Sequence, residues 1–178
     1  MTKIIQIGNP VLRKISKKVV DVGSEKTKKI VKDLIKVMRD NNLIGVAAPQ
    51  IGVSERIFLT ELRTTKARKS AIGDEEKGLK IFINPKILGY SEEMVEMWEG
   101  CGSVAESNFF VPVIRPMAVV IEALDIEGKK FKLITKDLLA RVIQHEYDHL
   151  DGVVFLDRNC DISRAMSGEE YYKMMEQG

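Results

Sequence analysis

The segment His145-Glu146-Tyr147-Asp148-His149 holds the only two histidines of the chain, four residues apart, with a carboxylate directly after the first. On an α-helix, residues four apart lie roughly 40° apart around the axis and about 6 Å along it, so both imidazoles can converge on one ion. Glu146 flanks the same spot, where its carboxylate can take a proton from water that the ion acidifies. The pattern predicts a metal-dependent hydrolase. Such a site holds its ion by three protein ligands and keeps a fourth position for water or substrate, so a third ligand is required.

Extending the pair to H-E-x-x-H-x-x-G-x-x-H fails, because Gly152 fits but the last position is Phe155. Glu169 and Glu170 lie downstream in an acidic tail that reads more simply as a solvated surface. Cys101 is the better ligand. Its thiolate is soft and strongly binding, and Gly100 and Gly102 on either side let the backbone approach an ion closely. Cys101, His145 and His149 would be an ordinary set for zinc.

These side chains need elements to hold them. Thr135 is a candidate cap for a helix running through Leu138, Leu139, Val142, Ile143, His145 and His149, with Gly152 supplying a left-handed end. Apolar spacing predicts an amphipathic helix over residues 25–40. Between residues 43 and 52, small residues with Pro49 and Gly52 suit close backbone packing or a ligand-facing turn. Strands are expected at 56–60, 80–87, 94–98, 109–114, 117–124, 129–134 and 153–156, with Glu127-Gly128 as a hairpin turn and a polar loop from 61 to 80. Residues 164–176 read as a terminal helix with Met166, Tyr171, Met174 and Met175 on its apolar side. The fold class is therefore α+β, with mostly antiparallel sheets around a central helix, in one domain spanning residues 1–178.

Composition narrows the class further. The 178 residues carry a net charge of +2, too little for a nucleic-acid surface on bulk electrostatics, and the basic run from Arg63 to Lys69 reads as a solvated loop. Two cysteines, Cys101 and Cys160, are not a disulfide framework, which fits a reducing compartment. No signal-peptide core and no apolar run of membrane-spanning length is present, so a soluble, cytoplasmic protein with no membrane or DNA partner is expected.

Three segments together resemble the signatures of the peptide deformylase family: Leu43-Ile44-Gly45-Val46-Ala47-Ala48-Pro49-Gln50, Glu99-Gly100-Cys101-Gly102-Ser103 and Gln144-His145-Glu146-Tyr147-Asp148-His149. Asn9-Pro10-Val11-Leu12-Arg13 extends the likeness toward the start. The resemblance implies removal of the N-formyl group from the first methionine of nascent polypeptides, met transiently at the ribosome by a monomer. It implies Fe(II) at Cys101, His145 and His149, replaceable by zinc, nickel or cobalt. Glu146 would serve as general base and then acid, and the Gln50 amide and the Gly102 N–H would stabilise the oxyanion. Gly45, Met97, Leu138, the stem of Arg141 and Val142 would line the substrate's binding site. Glu99, Gln144 and Asp148 would orient ligands through hydrogen bonds.

The chain departs from the pattern at particular places. Leu43 replaces the first glycine of the first signature, and Gly102 stands where the family usually has leucine. Ala105 takes the place of a proline, Asn108 falls where an arginine is common, and the stretch to Arg115-Pro116 is about two residues longer than usual. These changes touch the cleft, so a related amide hydrolase of altered specificity is the second reading, and a non-catalytic metal-binding module the third. Glu169, Glu170 and Glu176 against Lys173 argue against a basic helix for ribosomal RNA.

Overall fold

The computed structural model describes residues 3–63 and 78–177. In chain order the described elements are α1 (Glu25–Asp40), β1 (Gly45–Ala47), β2 (Ile57–Leu62), β3 (Gly78–Tyr90), β4 (Met94–Gly100), β5 (Phe109–Pro116), β6 (Ala118–Leu124), β7 (Lys130–Lys136), α2 (Asp137–Leu150), β8 (Met166–Ser167) and α3 (Gly168–Gln177). They form a five-stranded sheet in the order β1-β2-β3-β6-β7 and a three-stranded sheet in the order β4-β5-β8. Neighbouring strands pair antiparallel throughout. The α+β expectation holds.

The larger sheet is covered on both faces, and β2 shows how. Its run Ile57-Phe58-Leu59-Thr60 is buried without alternation of polarity, as a strand sandwiched between two layers must be. Ile57 and Leu59 join Val46 and Ile83 in a cluster with Ile30, Val31, Leu34, Val37 and Met38 of α1. Phe58 turns the other way, stacking on Phe82 at 4.5 Å among Val119, Ile121, Leu139 and Ile143, which brings in α2. α2 is therefore packed between the sheet on one side and the β4–β5 hairpin on the other. Residues 139–146 and 148–150 of α2 are all buried, polar ones included.

α1 has the predicted bounds, and its first turn is capped by Ser24, whose Oγ accepts from the Thr27 N–H at 3.2 Å. The 127–128 turn is also present, with Gly128 at φ +81°. Other expectations are corrected. Thr135 does not cap α2, because it is paired with Val119 in β7, and the ladder runs on to Lys136 opposite Ala118. Residues 153–156 make no strand. Val154 and Asp157 close on each other instead, the Asp157 N–H donating to Val154 O and the Val154 N–H to Asp157 Oδ2, both at 2.9 Å. The terminal helix starts only at Gly168, since Met166 and Ser167 pair with Phe110 and Phe109, and Met175 lies exposed rather than on the apolar side. The loop expected over residues 61–80 yields its ends to β2 and β3, while residues 64–77, including most of the Arg63–Lys69 run, lie outside the described residues.

Candidate metal centre

Cys101 leaves β4 one residue after Gly100, and α2 carries His145 and His149 up to it. One donor atom from each of the three lies within 4.8 Å of the others, all three residues are buried, and Cys101 Sγ is 3.2 Å from His149 Nε2. The donors fit a divalent transition metal: a thiolate with two imidazoles is the soft, mixed set that such ions prefer. Glu99 binds His145 Nδ1 at 2.8 Å, which leaves Nε2 of that ring free to face an ion. His149 Nδ1 is buried with no hydrogen-bond partner among the described residues.

Electrostatics around the pair are uneven. Burial works against charge on His145, yet the neighbouring Cys101 and Glu99 raise its pKa well above the usual value. Burial and the nearby His145 push His149 well below it. Burial would raise Glu99 too, but its hydrogen bond with His145 and the Arg115 charge hold it far below the usual carboxylate range. Glu146 lacks such partners. Burial pushes it up to about 7, and its Oε2 is buried without a hydrogen bond among the described residues.

Gly45 makes room for that carboxylate. A Cβ there would lie 2.5 Å from Glu146 Oε1 and 2.7 Å from Val142 Cγ1, so only glycine lets β1 pass this close to α2. Gln50 follows on the next turn, and the Ala47 N–H fixes one side of its amide, donating to Oε1 at 2.8 Å. Nε2 is thereby turned toward Cys101 Sγ at 3.5 Å and Ser103 Oγ at 3.2 Å. The Gly102 N–H makes no backbone hydrogen bond among the described residues. Both groups are tied to one extended N-terminal segment. The Ile5 N–H donates to Gln50 O at 2.8 Å, the Ile7 N–H to Ser103 O at 2.7 Å and Gln6 Nε2 to Gly102 O at 2.9 Å.

Beneath the centre lies a buried ionic network. Arg115 grips Glu99 through Nε at 2.7 Å and Nη2 at 3.0 Å, and reaches Asp148 through Nη1 at 2.7 Å. Arg141 donates to the same Glu99 at 2.7 Å and to Val113 O and Val95 O. Arg158 closes on Asp148 from the surface. Asp148 thus holds arginines rather than a ligand ring, and Gln144 donates to Pro116 O and Ala140 O, so neither orients a histidine directly. The sequence signal for Arg115 is its place between Ile114 and Pro116 in an apolar strand, where a charged residue needs a buried partner.

A cavity borders the centre, lined by Gly45, Gln50, Cys101, Gly102, Leu138, Arg141, Val142, His145 and Glu146, which unites nearly all the residues expected there. Met97 is not among its walls. The next residue along β4, Trp98, lines the space together with Phe110 and Tyr171. The two departures in the signatures meet in this cavity. A Cβ on Gly102 would lie 3.0 Å from Leu43 Cδ1 and 3.1 Å from Ile4 Cδ1, so the Leu43 side chain fills space beside position 102.

The chain is similar to known proteins over most of its length. A model of the polypeptide deformylase family matches residues 1–165, ending just before β8 and α3. Peptide deformylase 2 of Nostoc sp. is 38% identical over 172 residues, which cover 97% of this chain and 93% of that protein. The peptide deformylase of Dictyoglomus turgidum is 40% identical over 161 residues, 90% of this chain and 94% of the relative. Among solved structures, a Met-Ala-Ser-bound class I type b peptide deformylase from Acinetobacter baumannii superposes with a TM-score of 0.81 at 28% identity, covering 89% of this chain and 99% of that one. The peptide deformylase from Thermotoga maritima gives a TM-score of 0.76 at 34% identity, with 89% and 97% covered.

Proposed function

Because the chain belongs to the polypeptide deformylase family, whose members hydrolyse the N-formyl group from nascent polypeptides, we propose that it does so with Glu146, Gln50 and the Gly102 N–H at an ion held by Cys101, His145 and His149. The ion we assign is Fe(II), with zinc, nickel or cobalt able to take the same donors. When bound, it would acidify water beside it and polarise the formyl carbonyl. Glu146 accepts the proton released as water attacks the formyl carbon and returns it to the departing amine. Gln50 Nε2 and the Gly102 N–H donate to the oxyanion that develops on the formyl oxygen. Gly45, Leu138, Val142 and the Arg141 stem border the side chain of the first residue, and Glu99 fixes the His145 ring. We read residues 1–178 as one catalytic domain, monomeric and cytoplasmic, that meets its substrate at the ribosome. No described helix is long and apolar enough to cross a membrane.

The observation that carries this mechanism is Glu146: a buried carboxylate with an oxygen lacking a hydrogen bond among the described residues, in the same cavity as Cys101, His145 and the Gln50 amide. The test is formate release from formyl-Met-Ala-Ser by the Fe(II)- or Ni(II)-loaded protein. Glu146→Gln should keep the ion and lose several orders of magnitude in kcat, on the order of 10³-fold or more. A loaded wild-type protein that releases no formate, or a Glu146→Gln variant that matches it, would overturn the mechanism.

A further inference from the structure

Helix α3 lies beyond the stretch matched by the family model, yet Tyr171 on its first turn is buried in a wall of the cleft. The Tyr171 ring stacks on Phe110 with centroids 4.1 Å apart and planes 8° apart, and it lies 5.9 Å from Trp98. The three rings make one continuous aromatic surface. Phe110 lies almost against the main chain of β4: a Cβ on Gly100 would be 2.6 Å from Phe110 Cε1. That glycine is the residue next to Cys101, so the surface begins where the metal centre ends.

The surface is built rather than incidental. Asn108 receives the Gly168 N–H on Oδ1 at 3.0 Å, and a Cβ at Gly168 would stand 2.5 Å from that oxygen. β8 pairs with Phe109 and Phe110, and Arg164 bonds Glu96 at 2.9 Å while lying over the Trp98 ring. Asn108 itself follows a turn in which Ala105, Glu106 and Ser107 all have positive φ, a conformation that L-residues adopt at a cost and that persists only where the surroundings impose it. The segment after Ser103 thus forms the turn that delivers Asn108 to α3.

Alternation along β4 sorts the cavity into two parts. Glu99 points toward α2, where it meets Arg141 and His145 beside Leu138 and Val142, the side read above as holding the first residue. Trp98 and Phe110, the partner of Gly100, occupy the opposite face of the hairpin. A peptide whose first side chain enters toward α2 sends its next residue toward the rings. We infer that Tyr171, Phe110 and Trp98 are specificity-determining residues, an aromatic platform for the side chain that follows the formylated residue, favouring a large apolar or aromatic one.

This inference rests on the reading of the cavity as the deformylation cleft, and the experiment separates the two. Formate release is measured from formyl-Met-Phe-Ser and formyl-Met-Ala-Ser with metal-loaded wild type, Tyr171→Ala, Tyr171→Phe, Trp98→Ala and Glu146→Gln. The wild type should favour the Phe peptide by about tenfold in kcat/KM, the gain expected of one well-placed ring contact. Tyr171→Ala should lose that preference through KM, and Tyr171→Phe should keep it. Should Tyr171→Ala melt below the assay temperature, Trp98→Ala, at a half-buried position, carries the comparison and should also lose the preference. No preference in the wild type, or one that survives in a folded ring variant, overturns the platform. Undiminished formate release by Glu146→Gln would instead strike the reading of the cleft.

Discussion

Leu43 and Gly102 are each a departure from a signature, and their contact makes them one feature. A Cβ at 102 would crowd Leu43 Cδ1 at 3.0 Å and Ile4 Cδ1 at 3.1 Å, while a glycine at 43 would relieve the closer of the two contacts. The Leu43 side chain thus occupies space beside position 102, where the Gly102 N–H is kept. Overpacking of this kind costs about 1–3 kcal/mol, so Gly102→Leu alone should destabilise the protein and lower its activity. Leu43→Gly together with Gly102→Leu should recover roughly 1 kcal/mol or more relative to the sum of the single changes. Urea denaturation of the four proteins measures the coupling, and strict additivity would show that the positions are independent.

At the scale of elements, the decisive junction is between the β4–β5 hairpin and α2. No backbone ladder joins them, so their relative position is fixed by side chains: Arg115 from β5 spans Glu99 on β4 and Asp148 on α2. Removing one partner of a buried ionic network leaves charges without compensation. Arg115→Met should cost about 3 kcal/mol, the low end for a broken buried pair because Arg141 and Arg158 remain on the two carboxylates. A shift in the denaturation midpoint worth under about 1 kcal/mol would mean that those two arginines suffice. Activity should fall with it, because Glu99 sets the His145 ring.

The whole molecule depends on the same junction in another way. Cys101 lies in the connection of the hairpin, directly after β4, and both histidines sit on α2, so an ion at the centre would tie together two segments that are far apart in sequence. An ion that binds the folded state alone stabilises it by mass action, about 4 kcal/mol at a free concentration a thousandfold above its Kd. Treatment with a strong chelator should therefore lower Tm by several degrees, roughly 2–4 °C per kcal/mol for a chain of this size, and Fe(II) or Ni(II) should restore it. Cys101→Ser should blunt the response. A Tm indifferent to chelation in the loaded wild type would argue that the three donors hold no ion.

Much of this protein was written locally. The spacing of His145, Glu146 and His149, the α1 periodicity and the 127–128 turn all depend on neighbours within a few residues, and each is present in the structure. Errors came where a distant partner overruled a local preference. Thr135 is a good cap, but pairing with Val119 kept it in a strand, and residues 153–156 are strand-like in type but closed on Asp157 instead. Nothing near Arg115, Gln6 or Tyr171 in sequence announces the partners they find, because Glu99, Gly102 and Phe110 reach them only through tertiary packing. The sequence by itself determined the chemistry, since ligand type and helical spacing are local. Only the tertiary structure decided the shape of the cleft, because its walls are contributed by segments that meet only when the chain has folded.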